Sequence, residues 1–228
     1  MPPANNDKTM TFEISNIINE LQSRLMGYCA LLTYRYMNLC VKAEPAALLS
    51  AEVNVGGAAY PLEKVASVAI EDNTRYRLYP MDKNLVPEIV KAMKEEHPEF
   101  KADIDGETIV FTVPPVDKDR KDALNDLVDA LHKDCESRMK LDFGVSTAKV
   151  AVAVAALSKE EQDGAKEDLK KAYDGMVSRS GQLKDNKIKE IEAAYSAWCD
   201  EHEKNEEAKE EKARAEGLDN VFKMTLEN

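Results

Sequence analysis

The stretch FTVPPVDKDRKDAL, residues 111–124, decides how this chain is divided. An alternating run over residues 111–113, typical of a strand, stops at Pro114 and Pro115, and a charged stretch with helical spacing follows. Two consecutive prolines remove two backbone donors and fix two φ angles, so neither a helix nor a central strand continues through them. The segment is therefore predicted to be a boundary between two kinds of structure.

On both sides of this region, apolar residues recur at helical spacing and predict three long helices. The first covers residues 12–39, and the second follows the diproline and continues at least to Met139. The third begins at the sequence SKEE, residues 158–161, which matches a capping box. Gly144 is expected to weaken or end the second helix. The apolar run KVAVAVAAL, residues 149–157, is compatible with either a strand or a helix.

Between residues 51 and 113 the periodicity changes from helical to alternating. Gly56-Gly57 and Asp105-Gly106 are typical turn sequences, and a short helix from about Asn84 is expected to end at His97-Pro98. This block is therefore predicted to be a small unit of strands with one helix.

The three long helices must pack on one another because each carries an apolar stripe, so the middle block is an insertion. We predict an α+β protein, a three-helix bundle with an inserted small β/α/β domain. The predicted segments are a flexible N-terminus (1–11), the bundle (12–44 and 116–199), the inserted domain (45–115) and an acidic C-terminal extension (200–228). Pro45, Pro114 and Pro115 mark the two connections and are predicted to form a hinge.

Motifs of enzyme chemistry are not found in the sequence. There is no P-loop and no G-x-G-x-x-G. His97 and His132 are isolated and predicted to be solvated, and Cys199 with His202 is only half of a metal site. We therefore expect no catalytic residue, no metal, no cofactor and no small-molecule substrate. Apolar runs are too short to span a bilayer, so no membrane partner is expected.

The formal net charge of −12 argues against general nucleic-acid binding, because such affinity comes largely from Lys and Arg that displace counterions from phosphates. Any RNA contact must therefore rest on a local basic patch. The four cysteines are too scattered for a disulfide framework, which predicts a reducing compartment.

Five segments occur in an order and spacing that resemble the ribosome recycling factor family. They are KAEPA (42–46), YPLEKVASVAI (60–70), YPMDKNLVPEIVKAM (79–93), DGETIVFTVPPVDKDRKDAL (105–124) and LSKEE (157–161). The resemblance implies an L-shaped, two-domain architecture about the size of a transfer RNA. It also implies a non-enzymatic factor that binds the ribosome at the subunit interface and assists subunit splitting after translation termination.

The partners that the resemblance implies are the ribosome, through large-subunit rRNA and ribosomal proteins, and an elongation-factor-type GTPase. The smaller domain is expected to swing when the GTPase pushes it. The positions expected to bind rRNA are those that keep basic character in this sequence: Lys42, Arg120, Lys121, Arg138 and Lys140.

Several arginines of the family pattern are replaced in this chain. Leu39 and Phe143 stand where the family carries arginine, and loss of such contacts weakens binding to phosphate. The divergence favours the mitochondrial matrix, with the plastid stroma and the bacterial cytoplasm as alternatives. It also leaves open a ribosome-associated assembly or structural factor of the same fold that has lost recycling activity.

Overall fold

The computed structural model describes residues 6–44, 48 and 51–226, so Pro45 lies outside the described residues. The chain divides into two compact units. The first combines Met1–Cys40 with Leu124–Lys189, and the second combines Val41–Ala123 with Glu190–Asn228. The predicted domain boundaries and the hinge stay predictions.

Three long helices build the first unit, and two of them continue into the second. Helix α1 spans Asn6–Met37, and the elements that follow it through residue 112 belong to the second unit. Helices α3 and α4 span Lys118–Ala153 and Lys159–Leu226. Their apolar faces meet in a core, in which Leu25, Val128 and Met139 are completely buried. The predicted α+β class, with a helical bundle and a small sheet, is confirmed.

Side-chain contacts fix the register of the bundle. Helices α1 and α3 run antiparallel, because Arg24 meets Asp142 while Arg35 meets Asp134. The buried Tyr36 hydroxyl donates to the carbonyl of Val128 at 3.1 Å, which extends the same register. Burial raises the pKa of this phenol, so the hydroxyl stays protonated and remains a donor.

Helix α4 returns antiparallel to α3. The ammonium of Lys184 lies 2.8 Å from Asp129, and toward the other end of the pair the rings of Tyr173 and Phe143 stack at 4.3 Å. Because these pairs run in opposite directions along the two helices, a single register satisfies both ends.

The second unit contains a hairpin, a four-stranded sheet and one short helix. Strands β1 (Glu52–Val55) and β2 (Ala58–Pro61) form the hairpin. The antiparallel sheet has the order β3-β4-β6-β5, and its strands are β3 (Ala66–Ile70), β4 (Arg75–Pro80), β5 (Lys101–Asp105) and β6 (Thr108–Thr112). Helix α2, Val86–Glu96, buries Ile89, Ala92 and Met93.

Both predicted turns are present. Gly56, Gly57 and Gly106 have φ values of 62°, 89° and 65°, in the left-handed region that favours glycine. The turn at Gly106 aligns β5 with β6 so that Ile104 pairs with Ile109. On the same face of the sheet, fully buried Tyr76, Leu78, Ile109 and Phe111 form the core.

The expectation that Gly144 ends the second helix is wrong, because α3 continues to Ala153, whereas a weakening of the helix stays a prediction. Gly144 is exposed, and a Cβ placed there would meet nothing within 4 Å. A glycine costs an exposed helix position about 1 kcal/mol, which the buried Met139 and Val150 on either side offset. Residues 149–157, whose sequence is compatible with either a strand or a helix, form a helix up to Ala153, and a turn follows.

The predicted capping box is present at the start of α4. The Ser158 hydroxyl is 2.6 Å from a carboxylate oxygen of Glu161, which also accepts from the Ser158 backbone N–H at 3.0 Å. In return, the Glu161 N–H donates to the Ser158 hydroxyl at 3.4 Å. From this cap, α4 continues into the predicted acidic extension as far as Leu226, and residues 200–206 are exposed. Within the described residues, no helix combines the length and apolarity needed to cross a membrane.

Replacing Ser158 with Ala should lower the free energy of unfolding by about 1 kcal/mol, because an N-terminal donor of α4 loses its partner. Urea denaturation followed by circular dichroism measures this change. Ser178→Ala, at an exposed position inside the same helix, is the matched control and should cost nothing. Equal midpoints for the two variants would show that the cap does not stabilise the helix.

Candidate functional site

The diproline segment is held against the start of α3. The Asp117 carboxylate caps this helix by accepting from the backbone N–H of Arg120 at 2.8 Å. The Arg120 guanidinium in turn donates to the carbonyl of Pro114. Arg120, predicted to bind RNA, therefore contacts the backbone of Pro114, which connects the first proline of the pair to the helix that follows.

Lys121 is also engaged within the second unit. Its ammonium lies 3.2 Å from the Glu192 carboxylate and 4.5 Å from the centre of the Tyr195 ring. Only 22% of its side chain is exposed. An ammonium held over an aromatic face and beside a carboxylate gains from both contacts, so this lysine joins α3 to α4.

Lys42, the third basic position of the second unit, is more accessible. Its ammonium lies 2.9 Å from Glu44, and 51% of its side chain is exposed. The hydrogen bond and charge of Glu44 raise the pKa of the Lys42 ammonium, with a smaller contribution from Glu190. The charge is therefore secure, although a neighbouring carboxylate partly neutralises it.

The first unit exposes the other two predicted residues on α3, on either side of the buried Met139. Arg138 lies 3.1 Å from Asp134, one helical turn earlier, and Lys140 is exposed two residues further on. Asp134 also accepts from Arg35 of α1 at 2.8 Å. One carboxylate thus orients two guanidinium groups, and these lower the pKa of Asp134, Arg35 being the larger influence.

Two arginines of α1 belong to the same surface, although the sequence pattern alone does not single them out. Arg24 and Arg35 are eleven residues apart, about three turns, so they lie on one flank of the helix. Arg24 donates to Asp142 at 3.3 Å, and the Tyr28 hydroxyl donates to the same carboxylate at 2.9 Å. We name this surface the α1–α3 seam: Arg24, Arg35 and Arg138 with Asp134 and Asp142. The shared helical phase of the two arginines is the signal that could identify them.

The position of Phe143 explains why it is not an arginine. Its ring stacks on Tyr173 of α4, with ring centres 4.3 Å apart, and its side chain is half-buried between the two helices. An arginine there would lose this stacking. Replacing Phe143 with Arg therefore does not simply restore a phosphate contact.

The prediction that His97 and His132 are solvated is wrong. His97 is 2% exposed and stacks on Phe100 at 4.5 Å, because the chain turns back over the sheet after α2. The His132 side chain is 12% exposed and lies 3.3 Å from the Ser180 hydroxyl between α3 and α4. Nδ1 of His97 also lies 3.3 Å from the Glu99 carboxylate, so both imidazoles combine packing with a polar contact.

The chemistry that the α1–α3 seam offers is anion binding. Guanidinium groups present forked N–H donors that match the oxygens of phosphate, and 62% of the Arg24 side chain and 47% of the Arg138 side chain are exposed. Asp134 and Asp142 hold these groups in place but also compete with an incoming anion. The seam is thus an ordered but partly neutralised cationic surface.

Comparison with known proteins identifies the fold and the family that this chain resembles. A family model described as "Ribosome recycling factor" matches residues 36–197. The ribosome-recycling factor of Flavobacterium johnsoniae is 28% identical over 189 residues, covering 82% of this chain and 97% of the relative. That of Aquifex aeolicus is 27% identical over 152 residues, covering 66% of this chain and 80% of the relative.

Two solved structures share the fold. A solution structure of a ribosome recycling factor superposes with a TM-score of 0.67 at 21% identity, covering 79% of this chain and 98% of the neighbour. The second is the T. thermophilus ribosome recycling factor, described together with E. coli elongation factor G bound to the E. coli post-termination complex. Its TM-score is 0.54 at 23% identity, covering 78% of this chain and 98% of the neighbour.

The geometry of the α1–α3 seam can be tested at Asp134, whose carboxylate contacts both Arg35 and Arg138. Replacing Arg35 with Gln should raise the pKa of Asp134 more than Arg138→Gln does, because Arg35 makes the shorter contact. Carboxyl ¹³C NMR titration measures both shifts. Since the folded pKa lies below the ordinary value of about 4, the ion pairs stabilise the unit above that pH and lose their effect as the pH falls through the lowered pKa.

Arg24→Gln is the control for this titration, because Arg24 bonds Asp142 instead. A change of the Asp134 pKa in that variant, or none in Arg35→Gln, would contradict the arrangement.

Proposed function

The chain belongs to the ribosome recycling factor family, and we propose that it binds the post-termination ribosome at the subunit interface and assists subunit splitting. Membership rests on the family match over residues 36–197, which includes the whole sheet, all of α3 and the first part of α4. Ribosome recycling is the function that this membership supports, and the chain is a translation factor, not an enzyme.

The proposed second partner is an elongation-factor-type GTPase. One structural neighbour is described together with elongation factor G on a post-termination complex, which supports the pairing. The close attachment of the diproline to the start of α3 supports a mechanism in which Pro114 and Pro115 limit the bending between the sheet and the helices. In this proposal, the GTPase displaces the sheet-containing unit and the prolines restrict the direction of that movement.

We further propose that the α1–α3 seam, together with Lys140, contacts large-subunit rRNA. Arg138 and Lys140 are both exposed on α3, and Arg24 and Arg35 extend the cationic surface from Arg138 onto α1. Lys42 supplies a further exposed charge in the other unit. In this proposal, Arg120 and Lys121 contribute less to rRNA binding, because their charged groups already contact Pro114 and Glu192.

The mitochondrial matrix is the proposed location. The curated relatives reported above are bacterial and only moderately similar, as the 28% identity to the Flavobacterium johnsoniae protein illustrates. Such divergence fits a factor that has adapted to an organellar ribosome. Fractionation of source cells tests the proposal, and recovery of the chain in the plastid stroma or the bacterial cytoplasm would replace it.

The second candidate function is a ribosome-associated assembly or structural factor of the same fold that has lost recycling. It is favoured by one specific observation: Lys42, Lys121 and Arg138 each lie within 3.2 Å of a carboxylate of the same chain. Neutralised bases displace fewer counterions from RNA, so affinity that depends on phosphate contacts falls.

A splitting assay separates these two functions. Purified chain and elongation factor G with GTP are added to post-termination ribosomes, and subunits are resolved on a sucrose gradient. A recycling factor converts whole ribosomes into subunits only when both proteins and GTP are present. Co-sedimentation with intact ribosomes and no splitting would instead establish the second function.

Arg138→Glu with Lys140→Glu tests the rRNA contact. The double variant should bind ribosomes more weakly, and the slope of log affinity against log salt should fall by about 1 for each phosphate interaction that is removed. Lys171→Glu changes an exposed lysine of α4 that pairs with Glu167, and it is the matched control. An unchanged salt slope in the double variant would show that this side of α3 does not meet RNA.

A further inference from the structure

Four apolar side chains form a line on the outer side of α3. Leu141, Val145 and Val152 are 72%, 54% and 79% exposed, and Ala148 between them is also exposed. Their spacings of four, three and four residues place them on one face of the helix. We call these four residues the apolar stripe.

The apolar stripe points away from the bundle core. Val150 follows Leu141 by nine residues, which is two and a half turns, so the two side chains lie on opposite sides of α3. Val150 is 1% exposed, whereas Leu141 is 72% exposed. Burial inside this unit therefore does not account for the stripe, and its members form a continuous row rather than scattered single residues.

The border of the apolar stripe is basic, although the whole chain carries a net charge of −12. The charged residues between 137 and 153 are Arg138, Lys140, Asp142 and Lys149. Asp142 is turned toward α1, where it contacts Arg24, and its side chain is 16% exposed. The side chains of Arg138 and Lys149 are 47% and 52% exposed, although they pair with Asp134 at 3.1 Å and with Glu20 at 3.8 Å. Lys140 is exposed as well, so three bases and two partner carboxylates leave an excess of positive charge.

We propose that the apolar stripe docks on a ribosomal protein, at an apolar surface bordered by carboxylates. The inference rests on the proposed function, in that it places this chain on the ribosome. Leucine and valine carry no donor for a phosphate and no aromatic face for a base, so RNA offers them no specific contact. An apolar protein surface removes them from water, and carboxylates around it complement Lys140 and the remaining positive charge of the border.

A second copy of the chain fits this surface less well. A symmetric pair would place the same stripe on both sides, so the basic borders of the two copies would face each other. Like charges placed opposite one another across an interface are unfavourable. The charge pattern thus selects a partner with the opposite border.

Site-specific cross-linking on ribosomes tests the proposal. The full chain carrying photoreactive p-benzoylphenylalanine in place of Val152 is bound to purified ribosomes and irradiated. The expected product resists ribonuclease, is destroyed by protease, and contains a ribosomal protein identified by mass spectrometry. A product containing rRNA, a product joining two copies of the chain, or no product above the level of the control overturns the inference.

The control carries the same photoreactive residue in place of Leu127. This leucine lies on α3 and is 49% exposed, but it precedes the stripe by fourteen residues. Position 127 should give little product with the protein that position 152 labels. Equal labelling from both positions would mean that contact is not confined to the stripe, and would also overturn the inference.

Substitution supplies an independent measurement. Leu141→Ser with Val152→Ser should lower ribosome affinity about tenfold or more, with an unchanged salt slope because no charge is removed. Leu127→Ser should leave affinity unchanged. Both substituted positions are exposed, and a thermal melt followed by circular dichroism checks that the bundle is intact. Unchanged affinity in the double variant contradicts the docking role.

The two proposals fail in different ways. If the unmodified chain does not co-sediment with ribosomes, the proposed function fails. If it co-sediments but the Val152 position labels rRNA, only the docking inference fails.

Discussion

The bundle depends on one constraint: three helices that come from distant parts of the sequence must bury their core-facing apolar residues against each other in a single register. Leu21 and Leu25 of α1 are buried, yet α3, which pairs with α1, begins only at Lys118. Such long-range packing supplies most of the stability of amphipathic helices, whose isolated forms are marginal in water. The insertion must therefore return the chain close to its starting point.

Polar pairs specify which of the possible registers forms. The apolar faces of two packed helices can slide past one another by a turn at modest cost, but a buried or half-buried polar group needs its own partner. The bond from Tyr36 to the Val128 carbonyl is one such requirement, and the contact of Tyr28 with Asp142 is another. Sliding by one turn would break both, which selects one alignment of α1 with α3.

Much of this fold is readable from the sequence, because its signals are local. The capping box at Ser158, the Asp105-Gly106 turn and the spacing of apolar residues in α1 each act within a few residues. Gly144 does not end α3 as one expectation had it, because the cost of a glycine in a helix is local, whereas the gain that outweighs it comes from packing against other helices. The expectation for His97 is wrong for a similar reason, since its burial depends on how the chain folds back after α2.

The candidate site is less readable than the fold. Lys42, Arg138 and Lys140 are exposed as an RNA contact requires, yet nothing in the local sequence shows that Lys121 lies against Glu192, 71 residues later. Arg24 and Arg35 join the same surface as Arg138 only through the pairing of α1 with α3. The register of the helices determines which charged residues pair across a bundle. Because that register is set by tertiary packing, the local sequence does not reveal it.

The surface of α3 combines partly neutralised bases with exposed apolar side chains. Where bases are neutralised by nearby acids, contact with phosphate weakens and loses part of its dependence on salt. Apolar contact has the opposite character, because burial of Leu141 or Val152 releases no counterions and is not screened by salt. In our proposal, the chain holds a ribosome through protein as well as through RNA, because its exposed apolar stripe lies on the same helix as Arg138 and Lys140. The balance between the two kinds of contact is then set by side chains of α3 that do not contribute to the core, so it can change between relatives without disturbing the bundle.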